Sequence, residues 1–511
     1  MAEHNTVRAG RRMNLEPASA AMDADVLIIG SGAGGAPTAA ILAEAGLDVL
    51  VVEEGQWVDQ GAVVPFSLDQ MDRQYRAGGV TVALGLPSIA YTEGCCAGGG
   101  TEINSGLYWR PPGDLLQRWR DQFQIDDFEP DDVLAIADEV ESDLSVRTVP
   151  GAYTEPSDVL RRGANALGWR NGEIPRWMTY PTTAPQTKKV RNSPPAIDSS
   201  QAGTGERQSM TRTYLPRAIK SGARMVVGCR IDRFDVQQGA ARSASTVLAD
   251  GRRGTITFRH IFVCGGAIQT PALLQRSGVH GLIGRTLAVH PTVKLAARFG
   301  SALNVPDDVP VHQVKEFAPQ LSFGGSASNP GLVALALLDQ WARFKDVITD
   351  WRNVSIYYAA ITSEGRGRVR AVPGLRDPIV TYRLTHRDRE LLRSGLGRLA
   401  LLMLEAGAQE VYPSFKGASA VRSRRDVAAM QGAFSATRAS VMTVHLCSTV
   451  PMGEIDGQCG ADSFGRVHGY KNIYVNDASL LPTAPGVNPQ AAVMAIAVRN
   501  ARHFIEGAAR G

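Results

Sequence analysis

Paired cysteines are missing from this 511-residue chain: Cys95, Cys96, Cys229, Cys264, Cys447 and Cys459 show no CxxC spacing and no extracellular context. That excludes a disulfide scaffold, and free thiols with no metal site are expected. A surplus of one charge is missing too. With 54 basic and 50 acidic side chains the net charge is +4, and no long basic block occurs, which excludes a nucleic-acid partner. No apolar run follows Arg11 and Arg12, so a signal peptide's hydrophobic region is absent and residues 1–22 read as a flexible tail. The weakly polar run LLPTAPGVNPQAAVMAIAV is interrupted by prolines, Asn488 and Gln490, which makes it a poor membrane span. A cytoplasmic protein is expected. What remains, 44% apolar and 20% charged, is a soluble globular balance, and the length implies two intimately packed domains.

The first patterned segment, DADVLIIGSGAGGAPTAAILAEAGLDVLVVEEG, reads as a strand (26–29), a glycine turn, an alanine-rich helix and a second strand (49–52). Gly30, Gly32 and Gly35 keep the GxGxxG spacing, which permits a tight turn, close backbone approach to a pyrophosphate and close helix–strand packing. Glu53 ends the second strand, where a carboxylate accepts hydrogen bonds from ribose hydroxyls and disfavours a ribose with a 2′-phosphate. Dinucleotide binding follows from strand, turn, helix, strand and acid in that order.

Further along, residues 98–100 are three glycines followed by Thr101 and Asn104, a loop that needs something large packed on it. A strand surrounds Ile231, and HIFVCGGAIQTPALLQRSG reads as a strand, a Gly265–Gly266 turn and a helix opened by Thr270 and Pro271. Residues 181–209 form a Pro/Ser/Thr/Gly-dense surface loop, with a lid over the site as the alternative. HPTVKLAARF, NVSIYYAAI, GRVRAV and PIVTYRL are strand-like, and THRDRELLRSGLGRLALLMLEAGA is helical, starting near Thr385 or His386 and ending near Gly407.

Segments spread over nearly the whole chain resemble, in order and spacing, the glucose-methanol-choline (GMC) flavoprotein oxidoreductases: LIIGSGAGGAPTAA, VVEEG, GGGTEINSGLYWRPP, GGAIQTPALLQRSG, GRTLAVHP, VHLCSTVPMG and NIYVNDASLLPTAPGVNPQAAVMAIAVRNA. The resemblance implies an α/β fold in which a discontinuous doubly wound FAD-binding domain (23–110, 205–295, 440–511) lies beneath an α+β substrate domain with an antiparallel sheet (111–204, 296–439). It places Gly30, Gly32, Gly35 and Glu53 at the pyrophosphate and adenosine ribose. Thr101 and Asn104 then lie near the flavin or its ribityl chain, and Ile231 touches adenine. Asp477 and Ala478 meet the pyrophosphate and ribityl region, while Asn488, Pro489 and Gln490 close over the ring. His290, in AVHP, matches a family histidine and is expected to be structural. Ser448 stands where many relatives have glycine. No histidine lies in EGCCAGGGTEINSGLYWR, so histidyl attachment of the flavin is not expected, and Cys95 and Cys96 read as buried free thiols.

Oxidising an alcohol with a flavin needs a base for the hydroxyl proton. The resemblance gives that role to His445, whose imidazole ordinarily titrates near neutrality, with Asn488 donating to the developing alkoxide. The implied function is an FAD-dependent alcohol oxidase or dehydrogenase turning a primary alcohol into an aldehyde, with oxygen or a quinone-like acceptor. The likeness is greatest to the branch with long-chain alcohol oxidases and aminoglycoside-pathway oxidases. An amino-sugar 6′-hydroxyl in antibiotic biosynthesis is therefore the leading substrate. Long-chain alcohols, sterols or simple sugars are the alternative, and a non-redox FAD-binding lyase or binding protein is a remote one.

Overall fold

The computed structural model describes residue 15 and residues 21–59, 61–180, 206–304 and 308–510. The expected lid loop lies outside these residues up to position 205.

The first sheet has the strand order Cys229–Gln237, Ala240–Leu248, Arg253–Val263, Ala21–Ile29, Val49–Val52, Arg224–Val226, with Ile473–Val475 also paired to Arg253–Val263. Its centre is parallel: Ala21–Ile29 pairs in parallel with Arg253–Val263 and with Val49–Val52. Both faces of such strands are covered, and this accounts for the uninterrupted apolar runs VLII and VLVV, every residue of which is buried. The helices Gly35–Glu44 and Gln490–Arg510 pack together against it. The small side chains Ala36, Ala39, Ala40 and Ala43 allow that close approach.

The second sheet runs Thr81–Ala83, Ile89–Tyr91, Val441–Thr443, Thr292–Arg298, Val354–Ile361, Leu321–Ser326, His312–Val314, Asn171–Glu173, with Glu410–Pro413 also paired to Thr292–Arg298. Its pleat separates two chemistries. Leu295, Leu321, Phe323 and Ala359 share an apolar core with the helix His386–Glu405. That helix starts at Thr385 with a capping box closed by Asp388, and Gly407 follows it at φ +95°. The alternate residues Thr292, Lys294, Ser322, Tyr358 and Ala360 point the other way: Lys294 stands opposite Tyr358, and Thr292 and Ser322 opposite Ala360.

Several sequence-based boundaries move. Residues 81–91, 292–295 and 441–443, expected in the nucleotide-binding portion, pair into the second sheet. Conversely, Gly113–Phe123 and Pro130–Asp143 lie within the expected substrate domain, yet their Leu116, Trp119, Val133 and Ala137 share a core with Leu27 and Ile261 of the first sheet. Short strands and amphipathic helices carry no mark of which layer they will join; packing decides. The first strand also begins at Ala21, inside the expected tail. The helix expected to open at Thr270 and Pro271 begins at Gly266, with Pro271 in its interior. A proline there leaves the carbonyl four residues back without its amide partner. Ala267 is that residue, and the Thr449 hydroxyl donates to its carbonyl at 2.8 Å.

Candidate active site

The first glycine turn is built from unequal glycines. At Gly30, φ is +97° and a Cβ would fall 2.4 Å from the Cys264 carbonyl oxygen, so only glycine fits. At Gly35 a Cβ would fall 2.0 Å from the Gly30 carbonyl oxygen, which sets how closely helix and strand pack. Gly32 is the opposite case: nothing lies within 4 Å of where its Cβ would be. Open space beside a glycine turn that leads into a helix N-terminus is what a pyrophosphate requires.

Glu53 lies over this turn. Its carboxylate accepts from the Ser31 amide (3.1 Å), the Ser31 hydroxyl (2.7 Å) and the Gly55 amide (2.9 Å), while burial pushes its pKa up. Ser31, which the sequence reading passed over, also accepts from the Gly98 amide at 3.0 Å and so seats the second glycine loop on the first. Gly34 was passed over as well; a Cβ there would fall 1.9 Å from the Asn476 carbonyl oxygen. The Thr101 hydroxyl turns inward, donating to the Gly98 carbonyl (2.7 Å) and accepting from the Met210 amide (3.2 Å). Asn104 reaches Gln490, its amide donating to the Gln490 side-chain oxygen at 2.8 Å. Ile231 is buried in the first core, on a strand whose start is held to Glu53 by the Cys229 amide. Asp477 faces its own protein: the Gly266 amide (2.7 Å), the Thr270 hydroxyl (2.5 Å) and the Ser479 amide (2.7 Å) all donate to it. It thereby caps the helix Gly266–Arg276, and Ala478 opens the short turn behind it. Pro489 and Gln490 sit at the start of the C-terminal helix.

The second cluster is set by a two-residue ladder. Val289 pairs with Leu446, so the next residues outward, His290 and His445, meet. Their rings stand edge to face with Nδ1 atoms 2.9 Å apart. The Gly486 amide donates to His290 Nε2 at 3.0 Å. A neutral imidazole carries one proton, so His290 holds its proton on Nδ1 and donates it to His445 Nδ1. His445 then carries its own proton on Nε2, 3.2 Å from the Asn488 side-chain amide, which receives it once the carboxamide turns its oxygen inward. His290, expected to be structural, thus lines the same cavity as His445 and is bonded to it. Burial, then the Lys315 charge, holds His445 down at about 4; burial, then His445 and Lys315, holds His290 well below its usual range. Both are neutral at pH 7. With Gln313, Lys315, Tyr358 and Asn488 they line a single small cavity.

Ser448, at φ +68°, keeps the left-handed backbone that suits glycine. It is wholly buried, and its hydroxyl donates to the Pro482 carbonyl at 2.7 Å. All six cysteines are unpaired. Burial pushes Cys95 up to about 12 and Cys96 well above its usual value, so neither is a ready thiolate for flavin attachment.

Residues 71–292 and 363–497 match the two parts of the GMC oxidoreductase family description, and residues 23–61 match an FAD binding domain. The chain belongs to the GMC oxidoreductase family. It is 37% identical over 495 residues to y4nJ, a GMC-type oxidoreductase of Sinorhizobium fredii, covering 96% of each. It is 26% identical to paromamine 6′-oxidase of Streptomyces fradiae, covering 94% of this chain and 90% of that one. Its fold is that of pyridoxine 4-oxidase from Mesorbium loti, with a TM-score of 0.65 at 19% identity over 94% of this chain and 99% of the other. This GMC oxidoreductase is an FAD-dependent enzyme acting on CH–OH donors. The open face at Gly32 and the buried Glu53 carboxylate beside it fit a dinucleotide. No described helix is long and apolar enough to cross a membrane.

Proposed function

We propose that this enzyme oxidises a small primary alcohol to an aldehyde, with His445 and Asn488 holding the hydroxyl and His445 taking its proton. The observation that carries the reading is the chain Gly486–His290–His445–Asn488, neutral and set in the wall of a cavity. FAD supplies the hydride acceptor. The first glycine turn, Glu53, Asn104, Ile231 and the segment 477–490 are proposed to hold it, Thr101 and Asp477 doing so indirectly by fixing the loops they bond.

The resting arrangement has His445 Nε2 as a donor, suited to hold an alcohol oxygen. For Nε2 to accept the proton, the pair must adopt its other tautomer, His445 Nδ1–H donating to His290 and His290 Nε2–H displacing the Gly486 amide. Gly486, at φ +72° and two residues before Asn488, is a backbone position with the freedom to turn. Proton acceptance is thus tied to movement of the segment that carries Asn488.

An amino sugar presents ammonium groups, which need carboxylates to replace their hydration. Among the described residues the cavity lining has no Asp or Glu and does have Lys315, so an amino sugar is not proposed as the substrate. Likeness to a relative named an oxidase supports dioxygen as the electron acceptor. The test is anaerobic flavin bleaching by alcohols in stopped flow. His445→Ala is expected to retain FAD and to bleach about 100- to 10,000-fold more slowly. Bleaching at the parent rate would make His445 a packing residue.

A further inference from the structure

The buried and half-buried cations in this part of the molecule fall into two sorts. Arg176 is fully buried and donates to the carbonyls of Ser105 and Pro310; Arg207 is buried and donates to the Glu102 carbonyl. Those guanidiniums are committed to the backbone. The two lysines are not. Lys315 lines the cavity, its ammonium 4.8 Å from the centre of the Trp109 ring. Lys294 stands opposite Tyr358 on the site-facing side of the second sheet, where directly paired side chains lie about 5 Å apart at Cβ, and Tyr358 lines the cavity. Among the described residues neither ammonium has an ion-pair partner, and burial alone pulls each down to about 8. Gln313, whose amide donates to the Tyr358 hydroxyl at 3.3 Å, adds neutral polar groups beside them. A cavity lined by Lys315 and two imidazoles, with Lys294 on the strand beside its Tyr358 and no carboxylate among the described lining residues, is built for negative charge.

We propose that Lys315 and Lys294 form an anion-holding subsite, and that the substrate is an alcohol bearing a carboxylate or a phosphate remote from the hydroxyl that reacts. The assignment of the hydroxyl to His445 and Asn488 is the reading given above, on which the substrate part of this proposal rests. An anion bound at the lysines recovers the solvation they lack and orients the hydroxyl toward the imidazole. A cationic alcohol meets like charge instead.

The FAD-loaded enzyme is first titrated with benzoate, propanoate and inorganic phosphate, and with benzamide as the neutral control, following the flavin absorbance. At least one anion is expected to bind, benzamide more weakly than benzoate. Lys315→Gln is expected to weaken anion binding by about 10- to 100-fold, the loss of one charge-assisted hydrogen bond, with Lys315→Arg restoring most of it. Lys294→Met should act in the same direction. The second measurement is anaerobic flavin reduction by 3-hydroxypropanoate, 2-hydroxyethyl phosphate, propan-1-ol and 3-aminopropan-1-ol, with 4-(hydroxymethyl)benzoate and benzyl alcohol as an aromatic pair. Anionic members should win, carboxylate against phosphate telling which group the subsite takes, and Lys315→Gln should erase the preference. Equal binding of benzoate and benzamide, or an equal loss of rate with neutral and anionic alcohols in Lys315→Gln, overturns the anion subsite and leaves alcohol oxidation standing. Anion binding that depends on Lys315, with no alcohol reducing the flavin, overturns the alcohol reading and the substrate class while the anion subsite stands.

Discussion

His445 shows how far a side chain departs from its behaviour in water. Its ordinary pKa of 6.5 would put a titration in the middle of the activity range, but burial and the Lys315 charge move it to about 4. Catalytic efficiency is therefore expected to be flat between pH 5 and 7, measured as kcat/KM against pH; an inflection near 6.5 would show a hydrated imidazole. The same shift has a stability consequence. A histidine whose folded pKa lies below its unfolded one costs nothing above 6.5, where both states are neutral. As pH falls from 6.5 towards 4 the unfolded chain takes up protons that the native pair refuses, so stability to urea should decline across that window. Ser448 offers a second residue-scale test. Its left-handed backbone costs about 1–2 kcal/mol without glycine, and its buried hydroxyl bond returns about 1 kcal/mol. Ser448→Gly should thus be near neutral in thermal melting, whereas Ser448→Ala keeps the strain, loses the bond and should cost about 1 kcal/mol.

Elements here are joined by polar groups placed where regular structure fails. Thr449 answers the carbonyl freed by Pro271, and Asp477 caps the same first turn, so the segments 446–453 and 476–480 are bonded to the helix Gly266–Arg276. Arg76 does similar work between sheets. It is buried and meets Glu54 at 2.7 Å, Asp377 at 3.2 Å and Glu93 at 3.8 Å, with Arg376 also on Glu54 at 2.6 Å. Glu54 is held at about 2 by these partners against its own burial, while burial takes Glu93 up to about 7. Removing the central cation strands the acids, at a typical cost of about 3–5 kcal/mol. Arg76→Met is expected to lower the urea midpoint by a corresponding amount; an unchanged midpoint would show that the ion cluster contributes little.

On the scale of the whole molecule, the segments proposed to hold FAD, residues 30–35, 98–104 and 477–490, are brought together by the bonds Gly98 to Ser31 and Asn104 to Gln490. A ligand touching all three holds distant chain segments together. FAD at a hundredfold excess over its Kd should add about 2.7 kcal/mol, so apoprotein should melt several degrees lower and recover when FAD is returned. With no histidine near the second glycine loop and both nearby thiols held protonated, acid precipitation should leave FAD in the supernatant. Flavin in the pellet would show a covalent link.

Local pattern was enough for the glycine turn and its flanking strands, the strand runs 292–298 and 354–361, and the helix opened by Thr385, because backbone geometry and burial on both faces of a parallel strand write themselves into neighbouring residues. Position within known motifs marked His445 and Asn488, which meet at the cavity, for the roles proposed above. Three things were beyond it. The layer joined by residues 81–91 and 113–143 depended on which apolar faces met in space. The role of His290 depended on a ladder between strands some 150 residues apart in sequence, through which one backbone amide at Gly486 decides where two imidazole protons reside. And Lys294 and Lys315 look in the sequence like two ordinary basic residues. Only tertiary packing half-buries them with no acid beside them among the described residues, because a charge acquires its meaning from what surrounds it.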